Sequence, residues 1–179
     1  MPITRRAFAL RAAASLAALG ISPARLLAVG RQPDGGISHN ADAIHQEGLI
    51  KATPARVYAA LPEARQFDGV FKLSAAAKTM PANPSPSVIS KEPGGAFALF
   101  GGYVTGRQIE LVKNARIVQV WRAGSWKPGE YSLVKFTLAA EGAGTRLSLD
   151  HTGFPAGQAQ HLADGWKGNY FEPLGRYLS

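Results

Sequence analysis

Between residues 116 and 178 the hydrophobic period changes once, and that change restricts the fold more than anything else in the chain. Arg116–Arg122 (Arg-Ile-Val-Gln-Val-Trp-Arg) is β-branched and aromatic, as strands are. Tyr131–Ala139 alternates, with Val134, Phe136 and Leu138 on one side and Lys135 and Thr137 on the other. Thr145–Thr152 alternates again, setting Leu147, Leu149 and His151 against Arg146, Ser148 and Asp150. Residues two apart share one face of a strand. Gly124–Gly129 and Glu141-Gly-Ala-Gly144 supply the turns. Then Leu162, Trp166, Tyr170, Leu174 and Leu178 recur every four residues, the stripe of an amphipathic helix, with Pro173 as a place for a kink. Strands with one apolar face followed by one long apolar-striped helix predict an α+β fold in which the helix covers the sheet.

The upstream half fits the same layout. Residues 43–51 read as a first strand. Thr53 is a candidate helix N-cap with Pro54 at the first helical position, and Val57, Tyr58 and Leu61 fall on one face. Glu63 to about Phe71 forms a second short helix. Residues 72–87, with Pro81, Pro84 and Pro86, read as a loop. Strands follow at Val88–Lys91, Ala96–Gly101 and Gly102–Leu111, separated by Pro93-Gly94-Gly95 and ended by Lys113-Asn114.

Charge separates the first thirty residues from the rest. The chain carries 20 Lys and Arg against 12 Asp and Glu, a net charge of +8. Such basicity suggests a polyanion partner. Residues 1–30, however, hold Arg5, Arg6, Arg11 and Arg25 and no acid, so the remainder carries 16 bases against 12 acids. Those thirty residues combine a basic cluster with a short apolar run, Ala12–Ile21, below the roughly 20 residues that span a bilayer. Thr4-Arg5-Arg6-x-Phe8-x-Leu10 resembles the twin-arginine signal that sends folded proteins to the bacterial periplasm. The expectation is a signal peptide over 1–30, a polar linker over 31–42 and one domain over 43–179. Ala28-Val29-Gly30 is taken as the cleavage site over Ser22-Pro23-Ala24; a retained signal would be the chain's only membrane contact. The remaining bases form no stripe interleaved with aromatic residues, which argues against nucleic acid.

Four segments carry a family likeness: Glu92-Pro-Gly-Gly-x-Phe-x-Leu-Phe-Gly-Gly-x-Val-x-Gly106, Arg116–Arg122, Gly144-Thr-x-Leu-x-Leu-x-His151-x-Gly-x-Pro155 and Gly165-Trp-x3-Tyr170-x2-Pro-Leu174-x2-Tyr-Leu178. With Thr53-Pro-x2-Val57-Tyr-x-Ala-Leu61 they resemble the homologues of the activator of heat-shock protein 90 ATPase, within the START-like SRPBCC superfamily. The likeness runs from about residue 43 to 178. It implies the helix-grip fold, a curved antiparallel sheet wrapped around a long C-terminal helix, with a cavity between them. The Pro-rich 72–87 stretch departs from the family's compact segment.

The resemblance turns the aromatic residues into site candidates. Phe100, Tyr103, Trp121, Trp166 and Tyr170 would line the cavity, and His151 would stand at its edge. A small hydrophobic or amphipathic ligand is the leading partner. Two alternatives stay open: a protein-interaction or stress module, with a homodimer or protein partner, and an enzyme using His151 as acid or base with Tyr103 or Tyr170 as helper. Plain core packing of the aromatics and a satisfied structural His151 also fit the same residues. No cofactor is implied. The absence of cysteine removes thiolate metal sites and disulfides, and His39, His45, His151 and His161 lack metal-ligand spacing. Asp150 and His151 point to opposite faces and make a poor dyad.

Overall fold

The computed structural model describes residues 42–81 and 84–179. The expected signal over 1–30 and almost all of the linker lie outside the described residues. Strand β1 (Asp42–Ile50) leads into α1 (Pro54–Ala59) and α2 (Ala64–Phe71). Thr53 caps α1: its hydroxyl accepts from the Arg56 N–H at 3.4 Å, and Pro54 opens the helix. Strands β2 (Val88–Ile89), β3 (Ala96–Leu99), β4 (Val104–Val112), β5 (Arg116–Ala123), β6 (Ser132–Glu141) and β7 (Gly144–Phe154) follow. All pair antiparallel in one curved sheet of order β1-β7-β6-β5-β4-β3-β2. A bulge between Gln108 and Glu110 shifts the β4–β5 register; bulges sharpen strand bending and so favour a curled sheet.

The alternation read from the sequence is the alternation observed. Val134, Phe136, Leu138, Leu147, Leu149 and His151 are buried, and Arg146 is exposed. The helix completes the grip in three consecutive segments: α3 (Ala159–Trp166), a π turn (Lys167–Phe171) and α4 (Glu172–Leu178). Trp166, Tyr170, Leu174 and Leu178 bury their side chains against the sheet and α1–α2, while Leu162 stays partly exposed beside them. Proline at 173 has no N–H to give. The wider i→i+5 closure sits just before it, where the Glu172 N–H bonds the Lys167 carbonyl.

Strands β2 and β3 end earlier than expected, β2 at Ile89 rather than Lys91. Ala96 to Gly101 stops at Leu99, because Phe100 (φ 53°), Gly101 (φ 63°) and Gly102 (φ 91°) turn left-handed in succession. The described residues of the 72–87 segment form a loop, with one 3-10 turn at Ala76–Lys78. Gly106 is required by close approach: a Cβ there would stand 2.0 Å from the Val120 carbonyl oxygen and 2.4 Å from the Phe97 ring. Its absence lets Phe97 approach Trp121, with ring centroids 6.2 Å apart.

Candidate functional site

A cavity of about 540 Å³ lies between the inner face of β4–β5 and the C-terminal helix. Val104, Trp121 and Ala123 form its sheet wall, and Leu162, Trp166 and Tyr170 its helix wall. Phe100 and the turn at Ala75–Met80 close the flank. Its aromatic surface is continuous: Trp121 meets Trp166 at 4.7 Å, Trp166 meets Tyr170 at 4.6 Å and Phe100 meets Tyr170 at 5.9 Å between ring centroids. Phe100, Tyr103, Trp121, Trp166 and Tyr170, all expected from the sequence, border it.

His151 does not border it, which corrects its expected place at the cavity's edge. The imidazole is fully buried behind Trp166. The Trp166 indole N–H donates to His151 Nδ1 at 2.9 Å. An indole nitrogen can only donate. Nδ1 is therefore unprotonated, and Nε2–H donates to the Ser132 hydroxyl at 2.7 Å. Burial pushes the His151 pKa down from 6.5 to about 4. Both ring nitrogens are occupied, so no lone pair or proton remains for chemistry in the cavity. The strand pattern placed the ring inward correctly, but its layer depends on contacts 15 and 19 residues away.

Trp121 is fixed by a second polar chain. Its indole N–H donates to Gln119 Oε1 at 2.9 Å, Gln119 Nε2 donates to Gln108 Oε1 at 3.0 Å, and Gln108 Nε2 donates to the Ser90 carbonyl at 3.2 Å. Gln108 and Gln119 are buried in the sheet. The indole N–H groups of Trp121 and Trp166 are thus bonded to groups outside the cavity lining, and these two tryptophans offer it apolar ring surface.

The polar groups collect at the rim. Tyr103 is 49% exposed, and its hydroxyl lies 3.0 Å from that of Ser125. Thr79, Gln158, His161 and Asn169 complete the rim. No Asp, Glu, Lys or Arg is among the lining residues. Asn169 Oδ1 accepts from the Ala76 N–H at 2.8 Å and ties the helix to the flanking turn. Ser125, Gln158, His161 and Asn169 were not anticipated. A signal existed for two of them: His161 and Asn169, with Gly165 between, recur every four residues in a stripe adjoining Leu162–Trp166–Tyr170.

The sheet's outer face holds an ion-pair cluster around Asp150. Asp150 meets Lys135 at 2.8 Å and His45 at 2.7 Å, which depress its pKa, the Lys135 bond most strongly. Asp150 and His151 accordingly face opposite sides of β7. Among the described residues, no three His, Cys, Asp or Glu side chains converge as metal ligands would.

Known proteins carry the same framework. A family model described as "Activator of Hsp90 ATPase homolog 1-like protein" matches residues 51–179. The chain belongs to this family. Among curated relatives, the mouse "Activator of 90 kDa heat shock protein ATPase homolog 2" is 32% identical over 90 residues, which is 50% of this chain and 27% of that protein. The human homolog 1 is 31% identical over 90 residues, with the same shares. The match thus spans about a quarter of the length of those relatives. Among solved structures, an HSP90 activator from Plasmodium falciparum superposes with a TM-score of 0.63 at 23% identity, covering 77% of this chain and 95% of that one. CalU16 from Micromonospora echinospora gives 0.62 at 22% identity, covering 78% and 77%. At these identities the structures establish the shared helix-grip fold.

Proposed function

We propose that the domain binds one small, uncharged hydrophobic or amphipathic molecule beneath its C-terminal helix. The observation that carries this is a cavity of about 540 Å³ walled by aromatic rings and lined by no charged side chain. Protein cores pack with few voids larger than water, whereas small-molecule sites enclose roughly 300–1,000 Å³ of mostly apolar surface. A carboxylate or ammonium ligand would lose hydration there without gaining a countercharge. Native mass spectrometry of the protein from its own host, with a thermal-shift panel of neutral apolar compounds, tests this. A bound small molecule, or a raised melting temperature with neutral probes, is the expected result. An empty protein that no probe stabilises refutes it.

A protein-contact module is the second reading. It is favoured by the relatives named as activators of 90 kDa heat shock protein ATPase. Leu73, 37% exposed within the 72–87 loop, and Val88, 67% exposed just after it, offer apolar surface for such contact. Titration of the labelled chain with a 90 kDa heat shock protein at tens of micromolar separates the readings; an unchanged monomer signal rejects this one.

Residues 1–30 act, in the same proposal, as a twin-arginine export signal that delivers the folded domain to the periplasm. The support is Arg5, Arg6 and Phe8 in the motif's order. Among the described residues, no helix is long and apolar enough to cross a membrane.

A further inference from the structure

One polar group in the aromatic wall has nothing to bind. Tyr170 borders the cavity and is 4% exposed, and its hydroxyl has no hydrogen-bond partner among the described residues. The rings of Phe67, Phe100, Trp121, Phe136 and Trp166 surround it at centroid distances of 4.6 to 6.0 Å. None of them carries a free oxygen or nitrogen acceptor, and both indole N–H groups are committed to Gln119 and His151. Phenylalanine would supply the same ring without an unpaired buried hydroxyl, which natural cores rarely retain without cause. Burial also holds the phenol well above its ordinary pKa, so it remains a proton donor.

The surroundings narrow what that donor would meet. Asn169 precedes it in the π turn, a geometry often found at functional sites. With its Oδ1 taken by Ala76, Asn169 keeps Nδ2 on the side of Gly165, 3.9 Å from where a Cβ would stand. Gly165 and Asn169 both line the cavity. The lining carries no Asp, Glu, Lys or Arg, and its ring surfaces favour flat, uncharged partners.

We propose that the Tyr170 hydroxyl is a specificity-determining donor that reads a hydrogen-bond acceptor, a carbonyl or ether oxygen, on a planar uncharged ligand; this rests on the cavity being a small-molecule site. The hydroxyl is closed to solvent, so a ligand must part the wall to reach it. Phe100, edge-on to Tyr170, is the segment suited to yield. Its left-handed backbone, followed by two left-handed glycines, is strained for a bulky residue.

Fluorene and 9-fluorenone share one flat frame and differ by a carbonyl. Their affinities are to be measured on the full chain and on Tyr170→Phe. The full chain is expected to prefer fluorenone, and Tyr170→Phe to reduce that preference about 10-fold while melting at a higher temperature. A purely structural Tyr170 would change the melting temperature and leave the preference ratio untouched. An unchanged ratio overturns the proposal and leaves the cavity reading standing. If neither compound binds, the cavity reading falls and the proposal falls with it.

Discussion

Acidification should destabilise this protein well before its carboxylates titrate, because His151 is neutral by geometry. A protonated ring would point Nδ1–H at the Trp166 indole N–H, now its donor at 2.9 Å. The folded pKa is about 4 against 6.5 for a free histidine. Between those values the unfolded chain binds more protons than the folded one. Stability is therefore full above about pH 6.5 and is lost as pH falls toward 4. The shift corresponds to about 3 kcal/mol in total, of which about 2 kcal/mol disappears between pH 7 and pH 5. Two other effects overlap. His45, raised by its bond to Asp150, acts in the opposite sense, and the depressed carboxylates Asp150, Glu47 and Glu110 act at lower pH. Urea unfolding of the full chain and of His151→Gln at pH 7, 6 and 5 isolates the term, since the variant retains the others. The difference in stability between the two proteins should shrink by about 2 kcal/mol from pH 7 to pH 5. NMR of the His151 ring gives the same quantity directly. A ring that titrates near 6.5, or a difference that does not change with pH, refutes the reasoning.

Other outcomes follow from the same geometry. Gln119→Ala strands both the Trp121 indole N–H and the Gln108 carbonyl, and should cost about 2–4 kcal/mol in urea unfolding; a loss below about 0.5 kcal/mol would mean water replaces the chain. Thr53→Ala should cost about 0.5–1 kcal/mol, the low end for a cap whose bond is 3.4 Å long. Replacing Arg5 and Arg6 together by Lys should keep the chain cytoplasmic and unprocessed in cell fractionation, while the parent is found in the periplasm; equal export of both would dismiss the twin-arginine assignment.

Local chemistry made most of the fold readable. Thr53-Pro54 fixes its cap within three residues, and β6 and β7 declare their inner faces by strict alternation. The long helix shows in the Leu162-to-Leu178 stripe because burial selects its period. What stayed hidden depends on contacts distant in sequence. His151 reads as inward, but only the approach of Trp166 and Ser132 decides that it sits behind the cavity. Gln108 and Gln119 look like ordinary polar strand residues until β4 and β5 pair and align their amides. Phe100 continues an apolar run, so its left-handed turn carries no mark beyond the two glycines after it. The π turn is another such case: Pro173 announces a disturbance without saying that the helix absorbs it before the proline.

Whether the cavity is a binding site can be settled by filling it. Gly165 lies on the cavity face of α3, and a Cβ there would meet only the Asn169 amide, at an ordinary 3.9 Å. Gly165→Leu should therefore fold, with up to about 1 kcal/mol gained in helix propensity, and should occupy the ligand's space. Calorimetric titration of N-phenyl-1-naphthylamine, a neutral apolar probe, should show one site with a negative heat-capacity change on the parent chain. It should show no binding to Gly165→Leu. Equal binding to both proteins would place the probe elsewhere and contradict the account.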